Sequence, residues 1–169
     1  MENTNLQSVS QKVVSTDSSE MDGKYLTFWI DKQLFGVPIA YVVQIVGMQK
    51  ITEVPEFPSY AKGIINLRGA ITPLIDARLR LGKEEIDYNE RTCVIVTDIS
   101  DSSIGFIVDE VDAVMVIDND LVSPPPRLEG SGEGYITGIG KLENKVVLII
   151  DTQKLIGVGE LNVLTSVQQ

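Results

Sequence analysis

Apolar residues along this chain come in short runs punctuated by glycine and proline. The run 63–82 shows the pattern best. Ile64, Ile65 and Leu67 form an apolar segment with β-branched residues, and residues 70–75 form a second. Arg68 and Gly69 between them predict a two-residue hairpin turn, in which Gly69 supplies a positive φ. Pro73 donates no ladder hydrogen bond, so the return strand is expected at a sheet edge or with a bulge. Asp76 is placed to cap a helix of little more than one turn, and Gly82 to end it.

The pattern occurs twice. Residues 60–82 align without a gap on 135–157, with Tyr60, Gly63, Ile64, Leu67, Ile75, Asp76 and Gly82 identical to Tyr135, Gly138, Ile139, Leu142, Ile150, Asp151 and Gly157. Average composition would give roughly one or two such matches, so the chain reads as one structural unit used twice. Glu143 and Asn144 stand opposite Arg68 and Gly69, so the turn itself does not require arginine.

The earlier part of each unit repeats as well. Residues 25–30 alternate, with Leu26, Phe28 and Ile30 on one face. Residues 31–34 should turn the chain and 35–39 return it. In the second unit 92–99 is a strand, 101–103 a turn and 104–109 the return. Gly36, Ile39, Val42 and Ile45 correspond to Gly105, Val108, Val111 and Val114. The segment around Ile39, Val42, Val43 and Val46 fits a short helical stripe or a strand, and periodicity leaves both open. Pro55 and Pro58 mark a loop in the first unit, and three consecutive prolines, 124–126, stiffen a longer one in the second. Short strands broken by Gly and Pro suggest small barrels. Two lobes this small should pack apolar surface against each other. Residues 1–22, rich in polar residues, read as a disordered tail. The ordered domain is expected over 23–158, and 159–169 as a frayed C-terminal tail.

Composition narrows the chemistry. The 169 residues carry a net charge of −10, which argues against nucleic acid or an anionic membrane as a direct partner. There is no histidine, so Ser-His and Cys-His catalysis, a phosphohistidine and most zinc sites are excluded. Cys93, the single cysteine, allows no internal disulfide and fits a cytoplasmic protein. No apolar run reaches the ~18–20 residues that span a bilayer. Asp98, Asp101, Asp109, Glu110 and Asp112 read as solvated carboxylates, and Asp76 and Asp151 as helix caps. No cofactor or metal is expected. Val42, Cys93 and Val114 read as core residues, and Gly105 as a turn or close-packing glycine. Arg68 reads as a solvated charge at a hairpin tip or, alternatively, as an exposed recognition fork, and the residues alone leave both open.

These residues together resemble the signature of CheW-type chemotaxis coupling proteins. The resemblance is carried by 63–69, by Pro73 to Asp76, by Leu81 and Gly82, by Val108 and Asp109, by the proline loop, by 135–139, by 148–151 and by Lys154 and Leu155. It covers about residues 24–156. It implies an all-β fold of two SH3-like five-stranded β-barrel lobes sharing an apolar core, with short helices. It implies no enzymatic activity. The implied role is a cytoplasmic adaptor, recruited to membrane receptor arrays, that couples transmembrane chemoreceptors to the histidine kinase CheA. The partners would be the kinase's regulatory domain and the receptor's cytoplasmic tip. By this resemblance the receptor-facing groove includes Val42, Gln44, Arg68, Ile71, Cys93, Gly105 and Val114, with Val42, Ile71 and Val114 as its apolar floor. Gln44 stands where the family often has Glu, and Cys93 where an aliphatic residue is common. Ile39 and Gly63 match positions implicated in kinase coupling. Alternatives are a coupling module working with a separate receiver protein, a scaffold for a non-chemotaxis kinase and, from another class, a small carboxylate-dependent hydrolase.

Overall fold

The computed structural model describes residues 22–126, 134–156 and 159–168. The predicted disordered tail lies outside these residues except for Asp22, as does part of the loop after the triple proline. In chain order the strands are β1 (Lys24–Ile30), β2 (Gln33–Pro38), β3 (Val42–Gly47), β4 (Ala61–Leu67), β5 (Ala70–Asp76), β6 (Cys93–Ile99), β7 (Ser102–Val108), β8 (Glu110–Val116), β9 (Val122–Ser123), β10 (Ile136–Lys141) and β11 (Val146–Ile150). A short helix α1 (Ala77–Arg80) follows β5, and α2 (Glu160–Thr165) lies near the C-terminus.

Local sequence sets most of these boundaries. Asp31 and Lys32 both adopt positive φ, as do Ser100 and Asp101. Each pair closes a two-residue hairpin turn, so β2 and β7 begin at Gln33 and Ser102, inside the segments expected as turns. Asp76 caps α1 through Oδ1, which accepts hydrogen bonds from the Arg78 and Leu79 amides. Its Oδ2 accepts from the Tyr88 hydroxyl at 2.8 Å. Burial first, and then this bond to a carboxylate, push the Tyr88 pKa well above its usual value. Asp151 likewise caps the 3-10 turn Thr152–Leu155 through the Gln153 amide. The ambiguous segment after Ile39 resolves as a single 3-10 turn, Ile39–Tyr41, followed by a strand.

The strands form two mixed sheets, the bases of two SH3-like lobes. Lobe one has the order β3-β6-β7-β5-β4, and lobe two β8-β1-β2-β11-β10-β9. The division into lobes is not the division into repeats. The hairpin β1–β2 belongs to the first repeat yet builds lobe two, and β6–β7 of the second repeat builds lobe one. The exchange is reciprocal and keeps register. Gly105 pairs with Leu74 across the parallel β5–β7 joint, and Gly36 pairs with Ile149 across the parallel β2–β11 joint. These are equivalent positions of the two repeats. The bulges match too, skipping Val43 in β3 and Asp112 in β8.

The two exchanged hairpins pack against each other. Leu26, Phe28, Ile30, Phe35 and Val37 from lobe two meet Ile95, Ile99, Ile104, Phe106 and Val108 from lobe one in one cluster of buried apolar side chains. Phe28 and Phe35 stack within it, with ring centroids 6.1 Å apart. Each lobe keeps only a small interior of its own: Ile65, Leu74, Val94, Val96 and Ile107 in lobe one, and Leu34, Ile117 and Val147 in lobe two. The shared core is therefore the main apolar store of the molecule. Pro73 sits on an inner strand, not at a sheet edge. It pairs with Ile64 of β4, while pairing to β7 starts only at Leu74, so the missing donor falls where one side of β5 is open.

The C-terminal segment also departs from expectation. It is not frayed, because α2 docks with Leu164 fully buried in the shared core and Leu161 packed beside it.

A charged clamp closes the joint between the lobes. Arg78 of α1 donates from Nε and Nη2 to the two carboxylate oxygens of Asp109, both at 2.8 Å. Asp109 Oδ2 also accepts from the Asp31 amide at 2.8 Å, in the β1–β2 turn. Asp109 is thus a structural ligand and not a solvated carboxylate. The hydrogen bond to Asp109 raises the Arg78 pKa, against the opposing effect of burial. Replacing Asp109 by Ala removes the two closest bonds of a largely covered guanidinium, leaving it the Glu84 carbonyl at 3.2 Å and Asp31 at 3.6 Å, and should remove about 1–3 kcal/mol of unfolding free energy. Replacing exposed Asp98 by Ala should change it by less than about 0.5 kcal/mol. Denaturant titration of the two variants measures the contrast.

Candidate interaction surface

Seven of the nine residues singled out in the sequence fall on lobe one. Val42 and Gln44 lie on β3, Gly63 on β4, Arg68 in the β4–β5 turn, Ile71 on β5, Cys93 on β6 and Gly105 on β7. Val114 lies on β8 of lobe two. Ile39 lies in the 3-10 turn that carries the chain from lobe two to lobe one.

Their exposure divides them. Val42, Cys93 and Ile39 are buried members of the shared core, and half-buried Val114 packs against it. Val42 is only 2% exposed, so it does not supply an open apolar floor as expected. Half-buried Ile71 and Val114 remain as candidates for that part. Gly105 is a close-packing glycine: a Cβ there would lie 2.6 Å from Val94 Cγ1 and 2.7 Å from Leu74 Cδ2. Gly63 has φ of 141° and faces the Thr52 carbonyl, which a Cβ would approach to 2.1 Å. That carbonyl accepts from the Ile64 amide at 2.8 Å, while the Thr52 amide donates to Ile64 O at 2.9 Å. Gly63 thus lets the 48–60 loop cover the β4 edge.

Arg68 is the exposed member. Its φ is 53°, a left-handed conformation unusual for a long side chain. The turn is fixed by Asn66 Oδ1, which accepts from the Gly69 amide at 2.7 Å. Arg78, Arg80 and Arg91 bond to Asp109, to the Leu155 carbonyl and to Glu110. Arg68 makes no hydrogen bond or ion pair with the described residues, so its five donors face outward. Two exposed apolar residues at the start of β3, on the opposite sheet edge from β4, were missed in the sequence. Tyr41 is 52% exposed and Val43 is 37% exposed, flanking buried Val42. The bulge in β3 is what turns Val43 outward, and a bulge has no marker in a run of apolar residues.

Three of the acidic side chains singled out in the sequence have separate structural partners. Asp109 is held by Arg78 and Glu110 faces Arg91 at 3.4 Å. Asp112 Oδ2 accepts from the buried Thr27 hydroxyl at 2.9 Å. No group of acidic or cysteine side chains among the described residues has metal-binding geometry. No helix among them is long and apolar enough to cross a membrane.

Two intertwined SH3-like lobes with an exposed arginine at an outer turn form the body of a two-lobed scaffold. The CheW-like domain model matches residues 24–160, and the chain belongs to that family. It is 33% identical over 134 residues to the chemotaxis protein CheW of Bacillus subtilis (strain 168), covering 79% of this chain and 86% of that one. It is 30% identical over 145 residues to the chemotaxis protein CheW of Klebsiella aerogenes, covering 85% and 87%. The crystal structure of the scaffolding protein TtCheW from Thermoanaerobacter tengcongensis superposes with a TM-score of 0.75 at 33% identity, covering 82% of this chain and 94% of that one.

Gly63→Ala tests the structural part of this surface. The clash with Thr52 O and the positive φ should lower unfolding free energy by about 2–4 kcal/mol and free the 48–60 loop. Chemical denaturation and proteolysis of that loop would read both effects.

Proposed function

We propose that the chain couples transmembrane chemoreceptors to the histidine kinase CheA in chemotaxis signalling, as a non-enzymatic cytoplasmic adaptor recruited to receptor arrays. The observation that carries this reading is Arg68, exposed and without a hydrogen-bond or ion-pair partner among the described residues, on a strained turn beside half-buried Ile71. A turn selected for folding alone favours Asn, Asp or Gly where Arg68 stands. Arginine there supplies a rigid, always-charged fork for an acidic or carbonyl-rich partner surface.

In this reading the receptor's helical tip lies against Ile71 and Val114, with Arg68 and Gln44 setting orientation at the rim. Val42, Cys93 and Gly105 act from beneath, by fixing the shape of the strands that carry the surface. Ile39 and Gly63 support the kinase contact in the same indirect way, through the inter-lobe turn and the covered β4 edge. Family membership and about 30% identity to curated CheW proteins support the assignment. Modest contacts of ~1,000 Å² each would then be strengthened by many copies in an array.

The test is calorimetric titration with the regulatory domain of the CheA kinase from the same organism, followed by a receptor-dependent kinase assay. Binding at micromolar or tighter affinity is expected, with receptor control of autophosphorylation appearing only when the chain is added. Arg68→Ala should weaken receptor binding about tenfold and leave the thermal midpoint within a degree or two. Absence of kinase binding by folded proteins would contradict the coupling role.

A further inference from the structure

The C-terminal segment performs in lobe one a task that lobe two performs for itself. Gln168 Nε2 donates to the Ser103 carbonyl at 2.8 Å and to the Ile71 carbonyl at 3.2 Å. These carbonyls lie where β7 and β5 have not yet begun to pair, ahead of the Leu74–Gly105 joint. The repeat places Leu34 and Val146 at the equivalent points of lobe two. There Gln33 Nε2 donates to the Leu34 carbonyl at 3.0 Å and to the Val146 carbonyl at 3.3 Å. The same two-carbonyl clip is thus made twice by a glutamine amide. In lobe two the glutamine belongs to β2. Its counterpart in β7 is Ser102, whose side chain is too short for that span, and the amide comes from the end of the chain.

That end is held by few anchors. Gly159 enters with φ of 83°, then α2 runs for six residues into a 3-10 turn. A helix this short does not persist alone in water. It stays through Leu164, through the Tyr60 hydroxyl donating to Glu160 Oε1 at 2.7 Å, and through Gln168. The family match ends at Glu160 and does not extend over residues 161–168. It sits beside Ile71, three residues from Arg68.

We propose that residues 159–168 are a displaceable strap, holding on lobe one the place of a partner's helix. The partner takes that place with the same chemistry: an apolar residue and, about one turn further along, a side chain that donates hydrogen bonds, as Leu164 on α2 and Gln168 in the 3-10 turn after it do. The proposal rests on the coupling reading, with the helical receptor tip as that partner. Strap docking and receptor binding then compete.

The experiment titrates a helical cytoplasmic tip fragment of a chemoreceptor from the same organism into the full chain and into Gln168→Ala and Gln33→Ala variants. Hydrogen exchange of amides 161–166 is followed in parallel. Loss of the Gln168 clip should tighten binding about fivefold. Loss of the Gln33 clip, made on a fixed strand, should leave affinity unchanged. Saturating fragment should release the 161–166 amides to exchange in the unaltered chain. Equal or weaker binding by Gln168→Ala, or amides that stay protected at saturation, overturns the strap while leaving the coupling reading in place. Failure of all three folded proteins to bind overturns both.

Discussion

The exchange of hairpins between the two repeats is the constraint on which the rest depends. Among the described residues, each repeat pairs its own strands as hairpins, β1–β2 with β4–β5, and β6–β7 with β10–β11, the first repeat adding the Thr52–Ile64 bridge and the second extended by short β9. The joints that assemble these hairpins into sheets all cross between repeats: β3–β6 and β5–β7 in lobe one, β1–β8 and β2–β11 in lobe two. The apolar faces of the exchanged hairpins then meet in the shared core. Neither lobe has an interior large enough to stand alone, and neither contains strands from one repeat only. The lobes are therefore expected to fold as one cooperative unit.

This construction suits a scaffold. A cooperative body holds its outer turns at fixed positions, so a contact at one end is presented at a constant distance from a contact at the other. The Arg78–Asp109–Asp31 clamp adds a polar tie, joining α1 of lobe one, the β7–β8 connection and the β1–β2 turn of lobe two. With the body so fixed, it tolerates a strained arginine at the β4–β5 turn. The strain of a positive φ, on the order of 1 kcal/mol, is small beside the burial that surrounds it.

The repeat was legible because equivalent backbone sites need equivalent residues: Asp76 and Asp151 both cap, and the Asp76 and Asp151 amides both donate to the carbonyls of Tyr60 and Tyr135 at 2.8 Å. The exchange was not legible, since a duplicated sequence is equally satisfied by two separate lobes or by two that trade hairpins. The strand after Ile39 was hidden by its bulge, which breaks alternation and mimics a helical stripe. The role of Asp109 depended on Arg78, 31 residues away, and no local pattern announces such a partner. The C-terminal segment was misread because α2 is too short for periodicity to register, and what orders it is buried Leu164 together with long-range hydrogen bonds of Glu160 and Gln168. At the candidate surface, residue type alone separated Arg68 from its counterpart Glu143. It did not separate buried Val42 from exposed Val43 and Tyr41.

Splitting the chain between α1 and β6 tests the exchange most directly, by recording whether each half alone, and then the two mixed, gives cooperative thermal unfolding. Hairpin exchange predicts that neither half unfolds cooperatively by itself and that the mixture recovers a single transition with stoichiometry of one to one. Cooperative unfolding of either half alone would show that a repeat closes on itself, and would contradict the exchanged architecture.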